Sequence, residues 1–187
     1  MEEYKKAYES LLDTTIWQSV CGRICPHSKQ CQGSCVRGIK EKPVSIGELE
    51  AFIGDMAIKN NWKIEKLEEK KNKKVAIIGG GPSGITAAAY LARRGFDVSI
   101  YEKHRELGGL LAHGIPDFRL PRDVLNKTIQ KVLDLGVRVC FEKELGKNIN
   151  LNELEKKYDA VLLSFGANIS SKMGIEGENL KRCIWWK

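Results

Sequence analysis

The sequence predicts an α/β fold, a parallel and doubly wound sheet preceded by a small helical, cysteine-rich domain. Three observations predict it. Residues 74–102 read as apolar strand, glycine-rich turn, small-residue helix and second apolar strand. Residues 123–164 continue the alternation with helix, strand, short helix and strand. Residues 1–62 differ, with apolar side chains at helical spacing on either side of a loop that holds four cysteines. The expected boundaries are therefore a helical cysteine-rich domain over 1–62, a linker over 63–73 and the sheet domain over 74–187.

In chain order, Tyr4, Tyr8, Leu11 and Leu12 recur at helical spacing. Ser45 and Glu48 form a capping-box pattern, with Ser45 as N-cap. It opens a helix to about Asn60 whose expected inner face is Ile46, Leu49, Ile53 and Met56. Residues 66–74 mix lysines with glutamates, as a solvated linker or helix extension does. After the first two strands comes an irregular stretch over 110–122, with Pro116 and Pro121. A helix over 123–135 ends at Gly136, and 137–141 is a strand. Asn150 and Glu153 cap a short helix, and the apolar run 159–164 reads as a buried strand. Trp185 and Trp186 near the end are expected to pack on this domain or on a partner.

Composition narrows the class. A hydrophobic fraction of 42% over 187 residues suits one globular domain with a small addition. No apolar run approaches the ~18–20 residues needed to span a bilayer. The charged, amphipathic N-terminus is unlike a secretory signal, so a cytoplasmic protein is expected. The net charge of +7 is not gathered into one face, which argues against nucleic acid. The surplus suits an acidic protein partner such as a small electron carrier.

The turn Gly79-x-Gly81-x-x-Gly84 sits between the first strand and its helix, with Ala88 and Gly95 following. This is the Rossmann dinucleotide fingerprint. Gly79 permits the tight turn, Gly81 lets a pyrophosphate approach the backbone, and Gly84 with Ala88 lets the helix pack closely. The helix N-terminus offers free N–H groups to phosphates. Glu102 ends the second strand, where a carboxylate accepts from a ribose 2′-OH and repels a 2′-phosphate. Gly108 and Gly109 complete an E-x5-GG pattern that resembles the flavoprotein extension of the fingerprint, favouring FAD over NAD here.

Cys21, Cys25, Cys31 and Cys35 follow C-x3-C-x5-C-x3-C spacing. In a reducing compartment such a cluster points to iron–sulfur first, zinc second and plain thiols third. Cys140 and Cys183 read as ordinary thiols, and His27, beside Pro26, as an exposed side chain. His104 and His113 have no partner visible in the sequence.

The strings CGRICP, QCQGSCVRG, PVSIGELE, VAIIGGGPSGITAA, YEKHRELGGLLAHGIPDFRLP and YDAVLLSFGA together resemble one family over about residues 10–180. It is the small subunit of NADPH-dependent glutamate synthase with its relatives. These include the N-terminal half of dihydropyrimidine dehydrogenase and the large subunit of electron-bifurcating ferredoxin–NADP oxidoreductase. The resemblance implies an FAD and [4Fe–4S] electron-transfer module served by NADPH or NADH. It places pyrophosphate contacts on Gly79, Gly80, Gly81, Pro82 and Ser83, and the ribose at Glu102 and Lys103. It puts Gly109 and Leu110 beside the flavin, Arg119 on the cofactor and Leu145 at the adenine. Cys25, Cys31 and Cys35 match cluster ligands, and Glu50 falls where some relatives use an unusual side-chain ligand. Cys21 is a candidate to complete an all-cysteine site.

Relatives carry further cysteines upstream and a separate NADPH domain downstream, and this chain is expected to lack both. The implied partner is a large catalytic subunit or that NADPH domain, with a ferredoxin-like carrier as a further candidate. No side chain is expected to act as general acid or base, because the cofactors carry the chemistry. A non-enzymatic electron-transfer or docking subunit, holding a cluster or zinc, stands as the alternative.

Overall fold

Three helices open the chain: α1 (Glu2–Leu11), α2 (Gln18–Ile24) and α3 (Ile46–Lys59). The computed structural model describes residues 1–167 together with Gly174 and Glu176. Cys183, Trp185 and Trp186 lie outside the described residues. The cysteine loop connects α2 to α3 through two 3₁₀ turns, His27–Lys29 and Val36–Ile39.

α2 and α3 approach closely because glycines line their contact. A Cβ on Gly22 would stand 2.5 Å from Gly47 O, and one on Gly54 would stand 2.5 Å from Ser19 N. The buried face of α3 is accordingly Gly47, Ile53, Gly54 and Ala57. This corrects the expected inner face: Ile46 is exposed and Leu49 is 56% exposed. Small residues allow a backbone approach that a leucine ridge would prevent, and the helix is rotated to present them. Ser45 does stand at the N-cap, but its side chain makes no capping hydrogen bond, so the capping box is not formed.

The remaining chain alternates β1 (Lys74–Ile78), α4 (Pro82–Arg93), β2 (Asp97–Tyr101), α5 (Leu110–His113) and α6 (Arg122–Leu133). It continues with β3 (Arg138–Cys140), α7 (Leu151–Lys157) and β4 (Ala160–Leu163). All pairings are parallel, in the order β3-β2-β1-β4. The Val-Ala-Ile-Ile run of β1 is buried, as a central strand covered on both faces must be. Asn150 caps α7 as expected, its Oδ1 accepting from Asn152 N at 2.9 Å. The expected buried strand over 159–164 is corrected: Leu162, Leu163 and Phe165 are exposed. Among the described strands β4 is outermost, hydrogen-bonded to β1 alone, and its apolar run is only partly covered.

Residues 63–73 form no helix. They run extended along the α4–β2 turn, with Leu67 N donating to Arg93 O at 2.7 Å and Lys71 N to Gly95 O at 2.9 Å. The helical segment and the sheet share one hydrophobic core, in which Tyr8, Leu12, Trp17 and Val20 join Ile77, Ile85, Ile100 and Leu125. Buried cations stitch the same boundary. Arg93 donates to Leu12 O at 2.8 Å. Lys131 donates to Ala57 O at 3.0 Å and to Trp62 O, satisfying carbonyls at the end of α3. Trp17 Nε1 donates to Thr86 Oγ1 at 2.7 Å. No described helix is long and apolar enough to cross a membrane.

Candidate functional site

The glycine turn leaves β1 at Gly79, whose φ of +111° and lack of room for a Cβ (2.5 Å from Ser164 O) demand glycine. A Cβ on Gly84 would overlap the carbonyl of Gly79, so the first turn of α4 seats directly on the strand end. Gly81 is different. Its φ of −81° suits any residue, and the nearest atom to an added Cβ is Gly109 Cα at 3.9 Å. An added Cβ there would make only ordinary contact. Gly109, at φ +52°, lies close against it, and a Cβ on Gly109 would stand 2.9 Å from Gly81 Cα. Gly108 N donates to Gly80 O at 2.8 Å and holds the two glycine turns together. Pro82 occupies the first turn of α4, where a missing N–H costs nothing, and Ser83 beside it is exposed. Two bare turns at the N-terminus of a 12-residue helix fit a diphosphate-bearing dinucleotide.

Glu102 closes the far side of this cleft. It is 6% exposed, and three N–H groups hold its carboxylate. Gly80 N donates to Oε2 at 2.7 Å. His104 N and His104 Nδ1 donate to Oε1 at 2.8 and 3.0 Å. His104 in turn lies 5.0 Å, ring to ring, from His113. His113 Nδ1 is 3.5 Å from Glu106 Oε1. Both histidines thus have partners that the sequence did not reveal, because the pairing depends on how α5 folds back under the loop.

The other expected cofactor residues are placed differently. Lys103 is half-buried beside Glu102, and Leu110, the first residue of α5, is exposed. Leu145 lies beyond β3, packed against the small cluster of Ala76, Ile78, Tyr101, Leu154 and Tyr158. Arg119 turns to the helical segment, donating to Ile24 O at 3.0 Å, one residue before Cys25. The loop that carries it is held by Arg122, which donates to Leu111 O at 2.7 Å and to Ile115 O at 3.1 Å.

The cysteine loop divides into two groups. Cys21, Cys25 and Glu50 interact electrostatically. Burial above all, then Cys25 and Glu50, pushes the Cys21 thiol up to about 12. Burial also raises the Glu50 carboxyl. Cys35 is the opposite case: hydrogen bonds from the backbones of Val44 and Arg37 hold its thiol below the ordinary value, favouring the thiolate. His27 is not the exposed side chain the sequence suggested. Its Nε2 donates to Cys21 O at 3.1 Å and its Nδ1 lies 3.4 Å from Cys31 Sγ. The ring occupies the space a Cβ on Gly47 would fill, so the glycine in SIGELE was the available signal. Soft thiol donors and an N–H cradle for Cys35 fit a thiolate-bound cluster in chemistry. Among the described residues, no three His, Cys, Asp or Glu side chains converge on one metal position.

Comparison with known proteins gives this geometry a context. Residues 1–62 match the family model of dihydropyrimidine dehydrogenase domain II, 4Fe-4S cluster. Residues 77–151 match the NAD(P)-binding Rossmann-like domain. The NAD-dependent dihydropyrimidine dehydrogenase subunit PreT of Salmonella typhimurium is 39% identical over 168 residues, 90% of this chain and 41% of its own length. The glutamate synthase [NADPH] small chain of Escherichia coli K12 is 36% identical over 175 residues, 93% of this chain and 37% of its own. The chain is similar to both of these proteins along most of its own length. It spans about two-fifths of the length of these relatives, which are subunits of larger enzymes. Among solved structures, FprA of Mycobacterium tuberculosis in complex with NADPH is similar, with TM-score 0.52 and 26% identity over 57% of this chain and 25% of that one. A 2-naphthoyl-CoA reductase complex gives TM-score 0.51 and 25% identity over 73% of this chain and 19% of that one.

Proposed function

We propose that this chain is the FAD- and [4Fe–4S]-bearing electron-transfer segment of an NAD(P)H-dependent oxidoreductase that hands electrons to a partner catalytic unit. The observation that carries this reading is the apposition of Gly81 and Gly109 at the N-terminus of α4, in a sheet whose core is continuous with the cysteine-bearing helices. A second glycine turn facing the first favours a flavin dinucleotide over a nicotinamide one. The backbone of Gly79 to Ser83 would hold the diphosphate. Glu102 with Lys103 would hold the ribose, Leu145 the adenine, and Gly109 with Leu110 would lie against the flavin. Arg119, hydrogen-bonded to Ile24 O beside Cys25, would contact the cofactor. Cys25, Cys31 and Cys35 would ligate the cluster, with Glu50 or Cys21 as the fourth donor.

When bound, the flavin accepts an electron pair and the cluster passes electrons singly. The protein's own part is to hold both groups in one rigid unit and to keep water off the Glu102 end of the cleft. Residues 1–62 and 74–187 act as the two cofactor-bearing units, joined by 63–73. The partner is a large catalytic subunit or an NADPH-binding domain, in a reducing, cytoplasmic setting that keeps the thiols free. Two variants test the assignments separately. Cys31→Ser should abolish iron retention and leave flavin binding, and Glu102→Ala should weaken flavin binding and leave iron. Unchanged iron in the first, or unchanged flavin affinity in the second, would refute the corresponding site.

A further inference from the structure

The cysteine loop carries a surface feature that cofactor binding does not require. The 3₁₀ turn Val36–Ile39 presents two aliphatic side chains almost entirely to solvent, Val36 at 80% and Ile39 at 81%. Soluble surfaces carry single exposed aliphatics routinely, but a pair on one turn at a redox loop is another matter. The backbones of Arg37, Gly38 and Val44 hydrogen-bond to the sulfur of Cys35. The exposed pair and the cradled sulfur therefore belong to one turn, and whatever covers Val36 and Ile39 comes within contact of the Cys35 backbone.

The charge around the pair is one-sided. Residues 29–42 hold four cations, Lys29, Arg37, Lys40 and Lys42, against the single anion Glu41. Arg37 pairs with Glu41 at 2.8 Å, so the lysines provide the surplus. That surplus of three, from four cations less one anion, is a large share of the net +7 of the whole chain. A second copy of this chain would bring the same positive charge and be repelled.

We propose that the Val36–Ile39 turn is the docking surface for an acidic electron-carrier protein, with the two aliphatic side chains as the contact centre and Lys29, Lys40 and Lys42 as the steering rim. The inference deepens the electron-transfer reading and rests on it. A small apolar centre gives a contact that forms and separates quickly, and the basic rim supplies encounter rate and orientation. The position places the carrier against Cys35, which directly precedes the turn.

The test uses the full chain, purified without oxygen, and an acidic plant-type [2Fe–2S] ferredoxin and an acidic flavodoxin as probes. Cationic cytochrome c and a DNA duplex serve as controls. Binding is followed by biolayer interferometry at 20 and 200 mM salt, with iron content and melting temperature measured on every variant. At least one acidic carrier should bind, with affinity falling roughly tenfold or more between the two salts. The V36S/I39S double variant should weaken it about tenfold or more through a faster off-rate. The K40E/K42E double variant should slow association and flatten the salt dependence, with melting temperature unchanged in both. The proposal is overturned if neither carrier binds more tightly than cytochrome c, if DNA binds as well as the carriers, or if both variants bind as wild type. A chain that retains iron yet shows any of these loses the docking surface alone. A chain that binds the carrier through these residues but takes up no iron loses the cluster reading instead.

Discussion

Gly81→Ala separates a glycine kept for binding from glycines kept for folding. At φ −81° alanine is unstrained, and its Cβ would meet nothing nearer than Gly109 Cα at 3.9 Å. Lower chain entropy in the unfolded state favours alanine by about 0.4–1 kcal/mol, while glycine is the better N-cap by a similar amount. The net change in stability is therefore under about 1 kcal/mol, a melting shift of roughly 2–4 °C at most. Binding should respond very differently. The methyl group covers the backbone face of Gly81, which a diphosphate would contact. Losing two N–H bonds to a charged group costs about 1.5–3 kcal/mol each. That corresponds to FAD affinity weaker by on the order of 100-fold or more. Flavin fluorescence quenching on titration measures the affinity, and differential scanning fluorimetry the stability. Gly84→Ala is the control: its Cβ would overlap the rigid carbonyl of Gly79, so it should destabilise by about 1–3 kcal/mol or more. Wild-type FAD affinity in Gly81→Ala, or a melting loss as large as that of Gly84→Ala, would mean that Gly81 is not kept for binding.

Three further outcomes are expected. His104→Ala should weaken FAD several-fold by freeing the Glu102 carboxylate, with His104→Asn restoring much of the loss through its own amide donor; FMN, which lacks the adenosine ribose, should be unaffected in parallel fluorescence titrations. Gly54→Ala should destabilise by about 1–3 kcal/mol in urea melts, because its Cβ would stand 2.5 Å from Ser19 N and push α3 off α2. Burial lowers the Lys131 pKa below its ordinary 10.5. In the window beneath 10.5 the unfolded chain then binds more protons, so this group makes stability rise with pH. The stability difference between wild type and Lys131→Met should show that rise, and a flat difference would remove Lys131 as its source.

The sheet was legible because its signals are local. The apolar run of β1, the glycines after it and the Asn150 cap each act within a few residues, and the strands, turn and α7 form where those residues stand. What was not legible depends on approach between distant segments. The buried face of α3 is set by Gly22 on α2 meeting Gly47, which no hydrophobic periodicity along α3 can report. The buried positions of Arg93 and Lys131 depend on carbonyls at the ends of α1 and α3, in a core shared across the linker. At the candidate site, Gly79, Gly84 and Glu102 could be read from spacing. The hold of His104 on Glu102, and of His27 between Cys21 O and Cys31 Sγ, follows from chain reversals that spacing does not encode. The resemblance puts Arg119 on the cofactor, and in the folded chain its guanidinium donates to Ile24 O, a contact that spacing does not encode. β4 shows the limit of composition: its apolar run matches a buried strand in pattern, whereas among the described strands it pairs with β1 alone.

The proposed function requires one chain to hold a flavin and an iron–sulfur cluster together. The most direct measurement is the visible spectrum of the anaerobically purified chain, recorded during reduction and paired with iron, sulfide and flavin assays. The account expects resolved flavin bands over a broad iron–sulfur shoulder, both bleaching on reduction, with roughly four irons per chain. A colourless chain that takes up neither added FAD nor iron and sulfide would contradict it.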